Sequence, residues 1–248
     1  RDVTEEIQSF LADNERLFQR KSGAPVAVLY SWPSYYWREA VAGYSNNVIS
    51  NADKDLISYD NQDMDSPNSS RLPFWEVLRN LSKQQICYDV VLSADGELRT
   101  DDFAVGRISG FKTVILPDNT VMTERQLEAI LQYLDNGGKV IVFGRLAENL
   151  PEKAEAIRRH VNTVCCENPA DKVTAVANFL NAFHQVYQSD WGVTVSDPEL
   201  GVQTTVTPEG TQVVHLLNYS YDKKRDSVTS VKSLTISVAR PVGGVKVY

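Results

Sequence analysis

The chain has 248 residues, 42% of them apolar, with 32 acidic and 25 basic side chains and a formal net charge of -7. That length is enough to bury a full core, either in one large domain or in a medium domain with a small companion. Its basic residues are scattered rather than clustered, which excludes non-specific binding to phosphate backbones, so no nucleic acid is expected as a partner.

No apolar run approaches the roughly 20 residues that span a bilayer, and no membrane partner is expected. The first residues are amphipathic and lean acidic, unlike a signal peptide. The chain begins at Arg1 without a methionine and is expected to be a piece of a longer protein. Cys87, Cys165 and Cys166 cannot make a disulfide framework, and adjacent cysteines bridge only with strain, so all three are expected to be small buried hydrophobes. Three glycosylation sequons, at Asn68, Asn80 and Asn218, match a pattern short enough to arise often by chance.

In chain order, Ile7, Phe10, Leu11, Leu17 and Phe18 recur at helical spacing behind Thr4, a candidate N-cap, and predict an amphipathic helix over 4–20 that needs a partner surface. "PVAVLYS" (25–31) is a continuous apolar run suited to a central parallel strand. Residues 32–70 are rich in Trp, Tyr, Asn, Asp and Ser and read as a long insertion with at most a short helix near 36–42. Phe74, Val77, Leu78 and Leu81 mark a helix, and "CYDVVL" (87–92) marks a strand. "FKTVILP" supplies another strand. The helix that follows has a capping box of Thr123 and Gln126, a hydrophobic staple of Met122 and Leu127, a buried face of Leu127, Ile130, Leu131 and Leu134, and a Gly137-Gly138 stop.

"KVIVF" (139–143) then predicts a strand ending in an abrupt turn, followed by a short helix over 152–159 and a strand at "VNTVCC". Val173, Val176, Ala177, Leu180 and Phe183 predict the face of a further helix. Alternating strands and helices imply an α/β fold with a flavodoxin-like, mostly parallel sheet. Beyond about Ser189 only short strands remain: "GVTVS", "VQTTVTPEGTQVVHLLNY" with a turn at Glu209-Gly210, "SLTISV" and "GGVKVY". The expected organisation is a linking helix over 1–22, an α/β domain over 23–188 and a small antiparallel β domain over 189–248.

The turn after a sheet strand is where hydrolases and amidotransferases of related fold carry a nucleophile. Residues 143–150, "FGRLAENL", contain no Cys, Ser or Thr, so no catalytic residue is assigned there. Cys165 and Cys166 lack flanking glycines, and nothing in the sequence brings His160, His184 or His215 to them; His184 is expected on the apolar side of its helix. "SWPSYYW" is too bulky for a phosphate loop, and no Walker or dinucleotide motif occurs, so no cofactor is expected. No metal is expected either, since the cluster of Asp60, Asp63 and Asp65 lacks the Gly and terminal Glu of a calcium loop. Trp32, Tyr35, Tyr36 and Trp37 remain as candidate substrate-binding residues, because aromatic faces stack on sugar rings while neighbouring Asn and Asp bind hydroxyls. The same rings would equally serve to cover the strand ends or to pack on a neighbouring domain.

Taken in order, "NERLFQRKSGAPVAVLYS", "FWEVLRNLSKQQICYDVV", "GFKTVILPDNTVMTERQLEAILQYLDNGGKVIVFGRLAE" and "GTQVVHLLNYSYD" resemble the middle and C-terminal domains of glycoside hydrolase family 42 β-galactosidases and related glycosidases. In that family a catalytic barrel precedes a class I glutamine amidotransferase-like trimerisation domain and a small β domain. The resemblance implies that the catalytic glutamates lie in an upstream barrel of the same chain and that the amidotransferase-like fold serves as scaffold. It further implies a homo-oligomer and a carbohydrate near the aromatic loop. Two other functions stay open: a carbohydrate-binding module acting through aromatic stacking, and a free-standing hydrolase using Cys165 or Cys166.

Overall fold

The structure, a computed structural model, describes residues 3–18, 21–34, 74–169, 171–188, 192–222, 224–238 and 243–247. In chain order its elements begin with α1 (Val3–Asp13), β1 (Lys21–Ser22), β2 (Val26–Ser31), α2 (Phe74–Lys83) and β3 (Tyr88–Ser93). They continue with β4 (Thr113–Asn119), α3 (Glu124–Asp135), β5 (Lys139–Leu146), α4 (Pro151–Arg159), β6 (Thr163–Cys166) and α5 (Lys172–Val186). The short strands β7 (Val193–Val195), β8 (Leu200–Val206), β9 (Gln212–Asn218), β10 (Tyr221–Asp222), β11 (Ser227–Val228) and β12 (Ile236–Val238) follow. Two compact units result, one gathering residues 1–25, 81–89 and 189–248, the other residues 26–80 and 90–188.

The larger unit is built on a five-stranded sheet in the order β3-β2-β4-β5-β6, with β2–β4, β4–β5 and β5–β6 parallel. Counted along the chain this is 2-1-3-4-5, the flavodoxin-like order. Side chains alternate across the sheet with the two-residue period of a strand. Ala27, Leu29, Val114, Leu116, Val140 and Val142 join one core cluster with Leu127, Ile130 and Leu134 of α3 and Ala154 and Ile157 of α4. Phe143 meets Phe179 of α5 at 5.4 Å between ring centroids. Both faces of the middle strands are therefore covered, which is why "PVAVLYS" and "TVILP" read as continuous apolar runs.

Helix α3 is punctuated as its sequence predicts. Gln126 N donates to Thr123 Oγ1, Thr123 N donates to Gln126 Oε1, and Met122 and Leu127 are both buried. At the far end Gly137 adopts φ +87°, and Gly138 N returns to Tyr133 O at 3.0 Å, closing the helix in a glycine C-cap. The Tyr133 ring lies against Gly138 so closely that a Cβ there would meet it at 2.3 Å, and its hydroxyl donates to Phe111 O.

Four elements differ from their sequence reading. Strand β5 does not turn after Phe143 but runs on to Leu146. Helix α1 stops at Asp13, where the Asn14 side chain caps Phe10 O at 2.9 Å and a short 3-10 turn over 15–17 follows. In α5 the buried face is Ala175, Phe179, Ala182, Phe183 and Val186, while Val173 is 79% exposed. The apolar residues of that helix cover more than half of its circumference, so spacing alone leaves its orientation open and the two Phe residues one turn apart decide it. Residues 243–247 form no strand, contrary to the expectation for "GGVKVY". The predicted short helix near 36–42 lies outside the described residues.

The smaller unit contains the antiparallel sheet β1-β8-β9 and the pairs β7–β12 and β10–β11. The β8–β9 turn closes at Gly210, φ +86°, with Thr207 N bonding Thr211 O. Gln85, buried and at φ +58°, joins the segment before β3 to β7: its Nε2 donates to Asp197 O and its Oε1 accepts from Val195 N, each at 2.8 Å. Phe18 stacks near His215 at 5.5 Å, whereas Ile7, Phe10 and Leu11 of α1 stay about half exposed.

Three substitutions test these assignments by urea unfolding. Phe179→Ala should cost about 4 kcal/mol and Thr123→Ala about 1 kcal/mol, while Val173→Ala should stay within about 0.5 kcal/mol of the parent.

Candidate functional site

In open parallel sheets ligands bind beyond the carboxyl ends of the strands, first of all where the strand order reverses, here between β2 and β4. That place is closed by hydrogen bonds. Ser34 Oγ accepts from Val121 N at 2.9 Å and lies 2.8 Å from both Val121 O and Ser31 Oγ, and Ser31 Oγ donates to Val121 O. Both serines are buried. The bond lengths leave no room for a ligand between these two segments.

Trp32 opens a helical turn over 32–34 at the end of β2 and is half-buried. Its ring meets Tyr30 edge-on at 5.7 Å, and the Arg99 guanidinium sits 5.5 Å from its centroid, a cation–π contact. Tyr35, Tyr36 and Trp37 lie outside the described residues.

One strand further along, the sheet edge carries a distorted polar cluster. Asp118, at φ +50°, turns its carboxylate over β5, where Arg145 N donates to it at 2.9 Å and Arg145 Nε approaches to 3.7 Å. Asn168 Nδ2 reaches the second carboxylate oxygen at 3.5 Å. Gly144 lies beneath at φ +82°, and a Cβ there would come within 2.4 Å of Asp118 Oδ1 and 2.9 Å of Asn168 Cβ. The β4–β5 register shifts at this point, between Pro117 and Asn119. A glycine in the left-handed region, a bulge and a buried carboxylate stand where the sequence reading placed a turn after Phe143, and the strand continues through them to Leu146. The position contains Gly144 and Arg145, and neither is a nucleophile.

Beside this cluster opens a cleft of about 540 Å³ lined by Gly144, Arg145, Arg158, Cys165, Cys166 and Glu167, among others. Arg158 Nη2 donates to Gly144 O at 2.8 Å. Cys165 is exposed and Cys166 half-buried; their Sγ atoms contact the carbonyls of Arg158 and Val142, each at 3.8 Å. Burial, with a smaller contribution from Cys165, pushes the Cys166 thiol up to about 12. A catalytic thiol needs the opposite shift. Burial likewise raises the Cys87 thiol, which donates to Val202 O. The exposed Cys165 departs from the expectation that all three cysteines are buried.

The histidines do not gather. His160 caps the end of α4, with Nε2 3.4 Å from Asp135; His184 is exposed on α5 rather than on its apolar side; His215 sits in β9 near Thr205. Among the described residues no group of three or more His, Cys, Asp or Glu is placed to hold a metal ion, and no helix is long and apolar enough to cross a membrane. Sequence reasoning missed Asp118, Arg145 and Arg158. The signal available was "FGR", a glycine directly after an apolar run, which marks a bulge as readily as a turn.

No protein-family model matches the chain, and no curated protein sequence matches it. Among solved structures the chain is similar to alpha-L-fucosidase isoenzyme 2 from Paenibacillus thiaminolyticus, with a TM-score of 0.51 and 12% sequence identity. The alignment covers 93% of this chain and 44% of the fucosidase, so the chain spans less than half the length of that protein. The likeness is one of fold, shared with part of a glycosidase.

Gly144→Ala should cost about 3 kcal/mol, from the left-handed backbone together with the Asp118 contact, whereas Gly106→Ala, with open space around it, should change stability by less than about 1 kcal/mol. Denaturant melts of the two variants check this. The Cys166 thiol and the Tyr133 phenol, both pushed up to about 12 by burial, stay neutral in the fold when the unfolded chain already ionises. The stability they contribute is complete below about pH 9 and falls as pH rises towards 12, and unfolding curves across that range should show the decline.

Proposed function

We propose that this chain is a non-catalytic accessory region of a glycoside hydrolase, β-galactosidase-like in the sense of family 42, whose catalytic barrel precedes it in a longer protein. The observation that carries the reading is the extent of the fold likeness: nearly all of this chain matches less than half of a glycosidase. The chemistry of the sheet edge supports it. Ser31, Ser34 and Val121 close the crevice where the strand order reverses, and Gly144 and Arg145, still within β5, occupy the positions after Phe143 where an amidotransferase-like enzyme would hold its nucleophile.

In this reading residues 1–22 link to the barrel through Ile7, Phe10 and Leu11, residues 23–188 act as a scaffold for domain or subunit contacts in a homo-oligomer, and residues 189–248 form the closing β domain. Trp32, Tyr35, Tyr36 and Trp37 wall the sugar cleft. The region contributes positioning and water exclusion, while a carboxylate pair in the barrel performs the acid/base and nucleophilic steps. A cysteine-dependent hydrolase is disfavoured by the raised Cys166 thiol and by the backbone contacts of both Sγ atoms.

The purified chain should turn over neither aryl β-galactosides nor aryl α-fucosides above the rate of a heat-denatured control. Turnover that disappears on a single substitution within residues 1–248 would contradict the proposal.

A further inference from the structure

Apart from Arg158, the basic side chains at the end of β5 and on α4 have a carboxylate partner. Arg145 lies 3.7 Å from Asp118 and 3.9 Å from Glu148, Lys153 lies 2.7 Å from Glu128, and Arg159 pairs with Glu155 at 2.5 Å. Arg158 differs: among the described residues it makes no ion pair. The residue is half-buried in the cleft lining and, among the described residues, is anchored through Nη2 to Gly144 O.

A guanidinium has five N–H donors in a fixed planar fork, and one anchored bond leaves most of them available. Withdrawing such a group partly from water without an ion pair is unfavourable, and an oxyanion delivered onto the fork would offset this, even with the Glu167 carboxylate on the same lining. The anchor matters as well. Gly144 presents its carbonyl from a left-handed bulge in which no side chain fits, so the direction of the Arg158 fork is set by the same distortion that Asp118 imposes on β5. The Asp118 carboxylate makes an ion pair with Arg145. Glu167, exposed on the same lining, is an acceptor for hydroxyl groups. A volume of about 540 Å³ lies in the range of small-molecule sites.

We propose that this cleft binds a small hydroxylated oxyanion, a sugar acid or a sugar phosphate, with its carboxylate or phosphate on the Arg158 fork and its hydroxyls towards Glu167. The site involves only side chains of the larger unit and requires no catalytic partner, so it stands or falls separately from the accessory role above.

Calorimetric titration of the 248-residue chain with sodium glucuronate, glucose 6-phosphate, inorganic phosphate and uncharged glucose tests it. At least one of the anions should saturate at millimolar concentration, with glucose at least about tenfold weaker. Glucuronate alone assigns a carboxylate ligand and either phosphate a phosphoryl ligand, and both support the site. Arg158→Gln should weaken binding about tenfold or more, while Arg159→Gln, one residue away and outside the cleft lining, should stay within about twofold. Arg158 also supports the β5 bulge, so thermal melts accompany the titrations. Arg158→Lys, which keeps the charge but not the fork, should bind at least about threefold more weakly than the parent while melting like it. The proposal is overturned if no anion saturates below about 10 mM, if glucose binds as well as the anions, or if the Arg158 variants melt and bind like the parent.

Discussion

The Asp118 carboxylate pressed onto the Gly144 backbone is the contact on which the carboxyl edge of the sheet depends. It shifts the β4–β5 register, draws the Arg145 amide to itself and carries β5 on to Leu146 instead of letting the chain turn away. The cost is two residues in the left-handed region, one of them not a glycine, and a charge almost wholly withdrawn from water. The Gly144 carbonyl, the Arg145 side chain and, through Gly144, the Arg158 guanidinium are all oriented by this one arrangement.

A fold of this class usually keeps its carboxyl edge for chemistry, and here that edge is taken up by structure. The serine bridge to Val121 closes the gap between β2 and β4, where a flavodoxin-like sheet would admit a ligand. The position after Phe143 is held by glycine and arginine. Among the described residues a cleft lies open by β6; its thiols contact backbone carbonyls, and Arg158 and Glu167 line it without an ion pair. These features are what the proposed scaffold role would require, and the likeness to a portion of a glycosidase is one of fold.

The sheet and the third helix were legible because their signals are local and redundant. Thr123, Gln126, Met122, Leu127 and the glycine pair each mark the boundaries of α3 independently, and the apolar runs around Val28, Ile115 and Ile141 are what strands covered on both faces require. The orientation of α5 was only partly legible: Phe183 is buried as predicted, but Val173, Val176, Ala177 and Leu180 present as plausible a stripe as Ala175, Phe179 and Ala182, and packing of Phe179 against Phe143 selects the second. The polar edge was least legible of all. Asp118 and Gly144 are 26 positions apart in sequence, and nothing in "LPDN" or "FGR" taken singly says that one closes on the other. The exposure of His184 and of Cys165 was missed for the same reason: residue type sets an average burial, and tertiary contacts set the individual case.

The measurement that bears most directly on the account is the reading frame of the source gene upstream of the codon for Arg1. The account predicts an uninterrupted frame of several hundred further residues, with alternating strand and helix patterns and glutamates at strand ends, as a catalytic barrel requires. A start codon or a secretion signal immediately before Arg1 would contradict it, leaving no barrel for this region to serve.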